Sequence, residues 1–513
     1  MLSSSLSNRI AEQARTRPAA PALLWHSGEV TYAELHAMAG AAAARLTALG
    51  LPHGRPAAMV AKKSPEAIAV VLACLTLGQP VLLPSPELGA ETLSTLLERC
   101  AAGRLPAPEE LTDGHEPADG HEPADGAELI SNEPAPGEPD PQEVALLLTT
   151  SGSTGLPKVV PLTTGAVDRF TDWAADHFGI GPDTTVLNYA PLNFDLCLLD
   201  IWTTLSRGGC VALVDPDLAT NPAHLLALFR QRPIQVVQGV PMLYQLLTRA
   251  ARTDEAAAAL AEVRHAVLTG DAISERAFAP LPQLLPKADF HNVYGCTETN
   301  DSFIHPIDPV DPMPHGTVPI GEPVRGVKAL LLAEDGSELA GPGLGELLVR
   351  TPFQTTGYLD AELDRGVFTE RADGRYYRTG DLVRRHPDGV LTLEGRRDFV
   401  VKVRGVRVNT TEVEAALCSH PEAVEAAVLA VPDEVAGTRL HAVVQRAAGS
   451  SLNSLELRQA AAGLLPRAAI PTTVELVDTA LPRTGTGKLD RKAVLRASRH
   501  ARGQSPTTTP AGG

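Results

Sequence analysis

The feature that most narrows the fold is a series of short apolar runs separated by helical segments. Pro80–Leu83, Val144–Leu148, Cys210–Val214, Gln235–Gln238, His265–Leu268 and Phe290–Tyr294 read as buried strands. Thr31–Leu49, by contrast, has apolar or alanine positions at helical spacing, with Thr31 as its N-cap. Strands spaced by helices make crossover units, which build largely parallel sheets covered on both faces. Such a fold needs a large core, and 513 residues supply it; at ~100–200 residues per domain the chain holds two to four domains.

Composition removes several functional classes. The chain is 44% hydrophobic and 20% charged, which excludes global disorder. Forty-four Lys and Arg against 61 Asp and Glu give a net charge of −17. That argues against a general nucleic-acid or anionic-membrane surface, so neither partner is expected. The six cysteines form no CxxC pair, so neither a zinc site nor a redox dithiol is signalled. The start, MLSSSLSNRIAEQ, does not read as a signal peptide, and the longest apolar stretch, Ala67–Gly78, falls short of the ~20 residues that span a bilayer. A soluble cytoplasmic protein is the expectation.

Three stretches depart from the alternating pattern. Residues 104–142 contain GHEPAD twice in tandem, Gly114–Asp119 and Gly120–Asp125, in a Pro-, Gly-, Asp- and Glu-rich run without an apolar period. This reads as a disordered surface insertion, and its two histidines as part of a solvated linker in preference to a metal site. Val327–Leu332 and Glu346–Arg350, joined through DGS and GPG turns, suggest an antiparallel β-subdomain, and Gly389–Val408 repeats the style. From Asp398 the order is helix (Glu412–Ser419), two strands (Glu425–Val431 and Leu440–Arg446), helix (Ser454–Leu464) and strand (Thr473–Val477), a small α+β unit. Residues 501–513 read as a disordered tail.

Four motifs carry chemistry. LLLTTSGSTGLPK, Leu146–Lys158, runs from a buried strand into small hydroxyl residues and glycines, then to a lysine. Backbone N–H groups and hydroxyls in such a loop wrap a polyphosphate closely. No Walker A pattern is present, and a merely flexible Ser/Gly loop is the weaker alternative. HNVYGCTET, His291–Thr299, carries a strand out to Thr297 and Glu298. A carboxylate at a strand's C-terminal edge can hold Mg²⁺ on phosphates, although a single such residue is more often a solvated acid. YRTGDL places Asp381 after a glycine turn, suited to a ribose diol or to an Asx turn, and GRRDF adds the fork of Arg396. LPRTGTGKLDR projects Lys488 from a glycine turn, from where a lysine can be carried to developing negative charge.

Together, in this order and spacing, these motifs resemble the adenylate-forming superfamily, which includes acyl-CoA synthetases, luciferases and adenylation domains of nonribosomal peptide synthetases. The resemblance covers Ile10 to Ser498. It implies an α/β architecture: an N-terminal core (1–397) of two sheets packed with helices plus an antiparallel β-subdomain, and a mobile α+β C-terminal lid (398–500). It implies ATP and Mg²⁺. Thr149, Thr150, Ser151, Gly152, Ser153, Thr154 and Lys158 then stand as the phosphate loop, with Thr154 among the catalytic groups. Tyr294 neighbours the adenine, Asn292 and Gly295 are further ATP-binding residues, Thr297 contacts phosphate and Glu298 is the Mg²⁺ ligand. Asp381 clamps the ribose with help from Arg396, and Asp398 is the hinge. Lys488 bridges substrate carboxylate and ATP, and Gly405 lines a pantetheine tunnel.

The resemblance also bears on the substrate. In amino-acid-activating members the Asp of an FD pair binds the α-ammonium, and Asp195 in PLNFDLCLLDIW takes that position. The matching pocket positions are Leu196, Leu199, Gln238, Val267, Thr269, Gly270, Val293, Asp301 and Ser302. Leu199, Val267 and Val293 narrow the pocket, whereas Gln238, Thr269, Asp301 and Ser302 make it polar, which favours a small amino acid of the alanine or serine kind, or proline. Asp301 leaves a second amine open. Val400 and RVNTTEVE depart from the family pattern and bear only on thioester-conformation contacts. The expectation is a free-standing enzyme that makes an aminoacyl adenylate and loads the phosphopantetheine thiol of a separate carrier protein, with Arg404, Arg407 and Arg483 as candidates for docking it. An acyl- or aryl-CoA ligase of the same superfamily is the alternative.

Overall fold

The structure is a computed structural model that describes residues 6–52, 54–112, 141–150, 156–403, 406–433, 437–462, 464–465, 467–484 and 488–501. It divides into two compact units. One holds the chain up to Ala329 together with Leu348–Arg378; the other holds Leu330–Leu347 and the chain from Thr379 onward. Asp398 therefore lies inside the second unit, in the turn Arg397–Phe399, and not at its first residue.

The first unit is built on two sheets. The larger has nine strands, in spatial order Glu322–Pro323, Asn300–Pro306, Asp289–Cys296, His265–Thr269, Val236–Gly239, Thr185–Asn188, Cys210–Leu213, Pro21–Trp25 and Gly28–Thr31. Its centre is parallel and its edges are antiparallel. The smaller has five strands, Gly103–Arg104, Ala57–Ala58, Val81–Leu82, Val144–Thr150 and Lys158–Thr163, with only the last pair antiparallel.

Both faces of both sheets are covered, as continuous apolar runs require. Leu23, Val186, Val211, Val236 and Val267 face one core, while Leu24, Leu187, Ala212, Val237 and Ala266 face another. In the smaller sheet Val81, Leu146 and Val160 join the first core, and Leu82, Leu147 and Val159 a third. The helix Pro65–Thr76 sits in the first core, with Ala67–Ala73 no more than 4% exposed, which explains why its sequence is apolar all round. Thr31 caps the helix Tyr32–Ala48: its hydroxyl accepts from Glu34 N at 3.2 Å, and the Glu34 carboxylate accepts from Thr31 N at 2.7 Å.

The disorder expected from Arg104 is wrong for the first residues of that stretch. Gly103–Arg104 is a strand and Pro108–Thr112 a helical turn, with Leu105 and Leu111 7% and 2% exposed in the first core. Two leucines six residues apart suffice to dock the segment. The GHEPAD repeats lie outside the described residues.

The second unit holds the hairpin Val400–Val403/Val406–Asn409 and the sheet Ala423–Asp433, Gly437–Arg446 and Thr473–Val477. Val413, Leu417, Leu457 and Ala461 from two helices cover one face of that sheet. Leu481, Leu489 and Val494 belong to the cluster on Ala427, Leu429 and Val443. Among the described residues no helix is long and apolar enough to cross a membrane.

One cluster in the first unit predicts acid sensitivity. His265 Nδ1 lies 3.3 Å from His291 Nε2, and His177 stacks its ring edge-on to His291 with centroids 5.8 Å apart. Burial, then His265 and His177, push His291 down to about 4 from an ordinary 6.5, against a weaker upward pull from Asp289. A base that binds its proton less tightly when folded contributes full stability above 6.5 and loses it as the pH falls towards 4. Relative to His291→Gln, the wild-type chain should lose on the order of 2–3 kcal/mol over that range, read as the difference in urea midpoints at pH 7 and pH 4.5.

Candidate active site

The parallel strands of the larger sheet end on one edge, and several of the residues singled out in the sequence lie at or after those strand ends. Asp195 follows Thr185–Asn188, Gln238 is near the end of Val236–Gly239, Thr269 ends His265–Thr269, and Val293 to Gly295 lie near the end of Asp289–Cys296. Gly270 turns the chain with φ +81° just beyond its strand. Crevices at the carboxyl ends of parallel strands are where open α/β sheets take ligands.

The hairpin after Asp289–Cys296 fixes the acid. Gly295 pairs with Asp301, and a Cβ on Gly295 would lie 2.2 Å from the Asn300 carbonyl oxygen, so only glycine fits. Asn300 takes φ +53° and donates from Nδ2 to Phe353 O at 2.7 Å. Between them Thr297 is half-buried and Glu298 is 7% exposed. The Glu298 carboxylate accepts from Tyr358 OH at 2.6 Å, and the Tyr358 and Tyr377 hydroxyls are 3.4 Å apart. Burial first, and the Glu298 charge after it, push the Tyr358 hydroxyl up, so it stays a donor. Lys158 Nζ lies 4.8 Å from the Tyr358 ring centroid, which brings the end of the Ser/Gly motif to the same tyrosine. Tyr294 packs edge-on to Phe303, and Asn292 Nδ2 donates to Pro319 O at 2.7 Å. Thr149 and Thr150 end their strand half-buried. Ser151, Gly152, Ser153 and Thr154 lie outside the described residues.

Metal chemistry fits Glu298 in one respect. Among the described residues no three His, Cys, Asp or Glu side chains are grouped to hold an ion. Mg²⁺ in phosphate sites takes one or two carboxylates plus phosphate oxygens, and a buried, oriented carboxylate suits that donor set.

On the side of Asp195, the pocket residues divide by exposure. Asp195, Leu196 and Asp301 are half-buried, whereas Leu199, Val267 and Ser302 are 0% exposed and Gln238 is 1% exposed. Ser302 Oγ donates within its own turn, at 3.1 Å to Thr299 Oγ1 and 3.0 Å to Asn300 O, so the expected polar contact from Ser302 is committed to the fold. Thr269 and Val293 are 5% and 2% exposed. Burial, and after it the charge of Asp195, push Asp301 up to about 8. Gln238 Nε2 donates to Leu196 O and to Asp200 Oδ1, both at 3.0 Å.

The second unit holds a group of its own. Arg396 Nη1 donates to Asp381 Oδ1 at 2.8 Å, and Asp381 is 6% exposed. Gly380 at φ +73° lets the chain turn, with the Arg396 guanidinium 3.2 Å from where a Cβ would stand. Asn409 Nδ2 donates to Glu394 O at 2.7 Å, which ties the hairpin after Asp398 to the strand before it. Lys488 is exposed; its carbonyl accepts from Thr484 N at 2.8 Å, and Arg483 and Leu489 form a β-bridge around it. Arg483 Nη2 is paired with Glu425 at 2.7 Å. Gly405 and Arg404 lie outside the described residues.

Sequence reasoning missed Tyr358, Tyr377, Asp200 and Lys63. Asp200 left a signal, an acid inside the apolar run Leu198–Trp202, and Tyr377 opens the YRTGDL motif; Tyr358 and Lys63 left none, because they come from segments distant in sequence.

Known proteins match nearly all of this chain. The AMP-binding enzyme family matches residues 10–359, and the AMP-binding enzyme C-terminal domain matches residues 412–488. An L-proline–[L-prolyl-carrier protein] ligase of Pseudomonas fluorescens is 33% identical over 88% of this chain and 91% of its own length. A phenyloxazoline synthase, MbtB, of Mycolicibacterium paratuberculosis is 32% identical over 98% of this chain, which spans 43% of that larger protein. The crystal structure of ATP-bound MatB from Rhodopseudomonas palustris superposes with a TM-score of 0.77 over 96% of this chain and 99% of its own, at 24% identity, and shares the fold. With both of its domains matched, the chain belongs to the AMP-binding enzyme family of adenylate-forming ligases.

Proposed function

We propose that the chain activates a small amino acid with ATP and transfers it to the phosphopantetheine thiol of a separate carrier protein. The observation that supports this reading is Asp195, a half-buried carboxylate in the loop after the strand Thr185–Asn188, whose charge acts on Asp301. A carboxylate at this position can accept hydrogen bonds from the α-ammonium of an amino acid. Relatives named as L-proline–[L-prolyl-carrier protein] ligases support an amino acid, and put proline beside alanine and serine among the candidates.

The reaction has two steps. A substrate carboxylate oxygen attacks the α-phosphorus of ATP, and the bond to pyrophosphate breaks. The thiol sulfur then attacks the acyl carbon, AMP leaves, and the thiol proton is lost to solvent. Glu298 would hold Mg²⁺, which would supply charge neutralisation on the phosphates. Thr149 to Lys158 cradle the phosphates, and Asn292, Tyr294, Gly295 and Thr297 bound the nucleotide. Asp381 accepts from the ribose hydroxyls, with Arg396 holding its carboxylate. Lys488 offsets charge between carboxylate and α-phosphate during the first step.

Amino-acid-dependent exchange of labelled pyrophosphate into ATP, run over a panel of amino acids and acids lacking the amine, tests the reading. Exchange only with amine-free acids would overturn it. Tyr358→Phe tests the metal assignment in the same assay. It removes the donor that orients Glu298, and the Mg²⁺ concentration at half-maximal exchange should rise about tenfold.

A further inference from the structure

Four buried polar side chains lie behind the loop that carries Asp195, and no step of the chemistry above uses them. Lys63 is 3% exposed, Asn188 and Asp200 are 0% exposed, and Gln238 is 1% exposed. Lys63 Nζ donates to three successive carbonyls, Asn188 at 2.9 Å, Tyr189 at 3.4 Å and Ala190 at 3.1 Å. Asn188 Nδ2 donates to Asp200 Oδ2 at 3.1 Å, and Gln238 Nε2 spans Asp200 Oδ1 and Leu196 O. Asp200 sits in a π-helical turn, Leu198–Thr203, an uncommon geometry that recurs at functional sites.

The placement pins the loop at both ends. Lys63 holds the backbone as it leaves the strand at residues 188–190. Gln238, itself held by Asp200, grips the carbonyl of Leu196. Asp195 stands next to that carbonyl. Burial pushes the Lys63 ammonium down to about 8 and the Asp200 carboxyl up, so both groups are kept at a cost in desolvation. Apolar residues of similar volume would pack this core more cheaply, so the cluster is costly unless it secures a geometry.

We propose that Lys63 and Asp200 are positioning residues for amino-acid recognition: by fixing the backbone on either side of Asp195, they set the affinity for the amino acid without touching it or the nucleotide. This rests on the reading that Asp195 binds the ammonium.

Asp200→Asn is the informative change. An amide would face a donor with a donor, at either Asn188 Nδ2 or Gln238 Nε2. Turning the Gln238 amide to relieve this withdraws the donor from Leu196 O, and turning the Asn188 amide withdraws its donor from Cys197 Sγ in the same loop, so either relief loosens the backbone beside Asp195. In pyrophosphate exchange with the full chain, KM for the amino acid should rise about 10- to 100-fold. KM for ATP and the midpoint for Mg²⁺ should stay within about threefold, which a general loss of structure could not produce. Asp200→Glu, which keeps a carboxyl group, should recover part of the affinity. If Asp200→Asn fails to fold, Gln238→Met removes a single neutral donor and should give the same split. Equal rises in both KM values, or no change in either, in a variant whose thermal unfolding is cooperative, overturn the proposal. Asp195→Ala separates the two levels. If it leaves KM for the amino acid unchanged, the ammonium reading fails; if it abolishes exchange while Asp200→Asn and Gln238→Met show no split, positioning alone fails.

Discussion

Lys488→Ala is expected to slow amino-acid-dependent pyrophosphate exchange by about 100- to 1,000-fold, the loss typical of removing one preorganised charge partner. It should leave thioester formation from a chemically prepared aminoacyl adenylate within about threefold, since the lysine is assigned to the first half-reaction alone. In the first step a carboxylate attacks a polyphosphate, so two anions must be brought together and a cation is needed between them. Once the adenylate exists, the carboxylate charge is gone and that need lapses. The backbone around Lys488 is held by its own bonds, Thr484 N to the Lys488 carbonyl and the Arg483–Leu489 bridge, and Leu481 and Leu489 belong to the core cluster behind them. Truncating an exposed side chain there removes little packing, so the thermal midpoint should not move. Lys488→Arg keeps a charge but spreads it over a planar fork, and should fall between alanine and lysine. Equal loss in both half-reactions would point to damage of the unit as a whole, and undiminished exchange would end the lysine's assignment.

How much of this was legible in the sequence depended on whether the information was local. The six apolar runs all appear as strands, because a strand buried on both faces announces itself in four or five residues. Thr31 marks its helix start without tertiary context, and the structure adds Glu34, three residues on, as the other half of the capping box. Gly295, too, lies in a short motif, although its reason, the Asn300 carbonyl 2.2 Å from the missing Cβ, belongs to the hairpin. What could not be read was assembled over distance. Tyr358 meets Glu298 across 60 residues, and Lys63 meets Asn188 across 125. A lone tyrosine or lysine looks the same in sequence whether it orients a carboxylate or faces water. Ser302 shows a related point: its side chain reads as polar from the sequence, but only the turn shows that its proton goes to Thr299 and Asn300.

Asp195→Ala should have the largest effect on which acid is accepted. An ammonium brought into the pocket without its carboxylate is a partly buried, unpaired charge, which costs about 3–5 kcal/mol and corresponds to roughly 100- to 5,000-fold in kcat/KM for amino acids. Acids of the same shape without the amine carry no such charge, so their weak exchange should hold or rise, and the ratio of the two activities is the quantity to measure. Asp301 adds a pH signature. Burial acts on it first and the Asp195 charge second, and together they push it up to about 8. In the wild-type enzyme Asp301 is therefore neutral below about 8 and ionises above it, adding a second negative charge near the ammonium. KM for the amino acid should fall as the pH rises through that value, until the amino group itself loses its proton. Without Asp195 one cause of the upward push is gone, and any residual inflection should move to lower pH. Asp301→Asn should flatten the wild-type profile between pH 7 and 9 while leaving amino-acid-dependent exchange in place. A profile unchanged by Asp301→Asn would remove Asp301 from the pocket, and full activity of Asp195→Ala towards amino acids would take the ammonium away from residue 195.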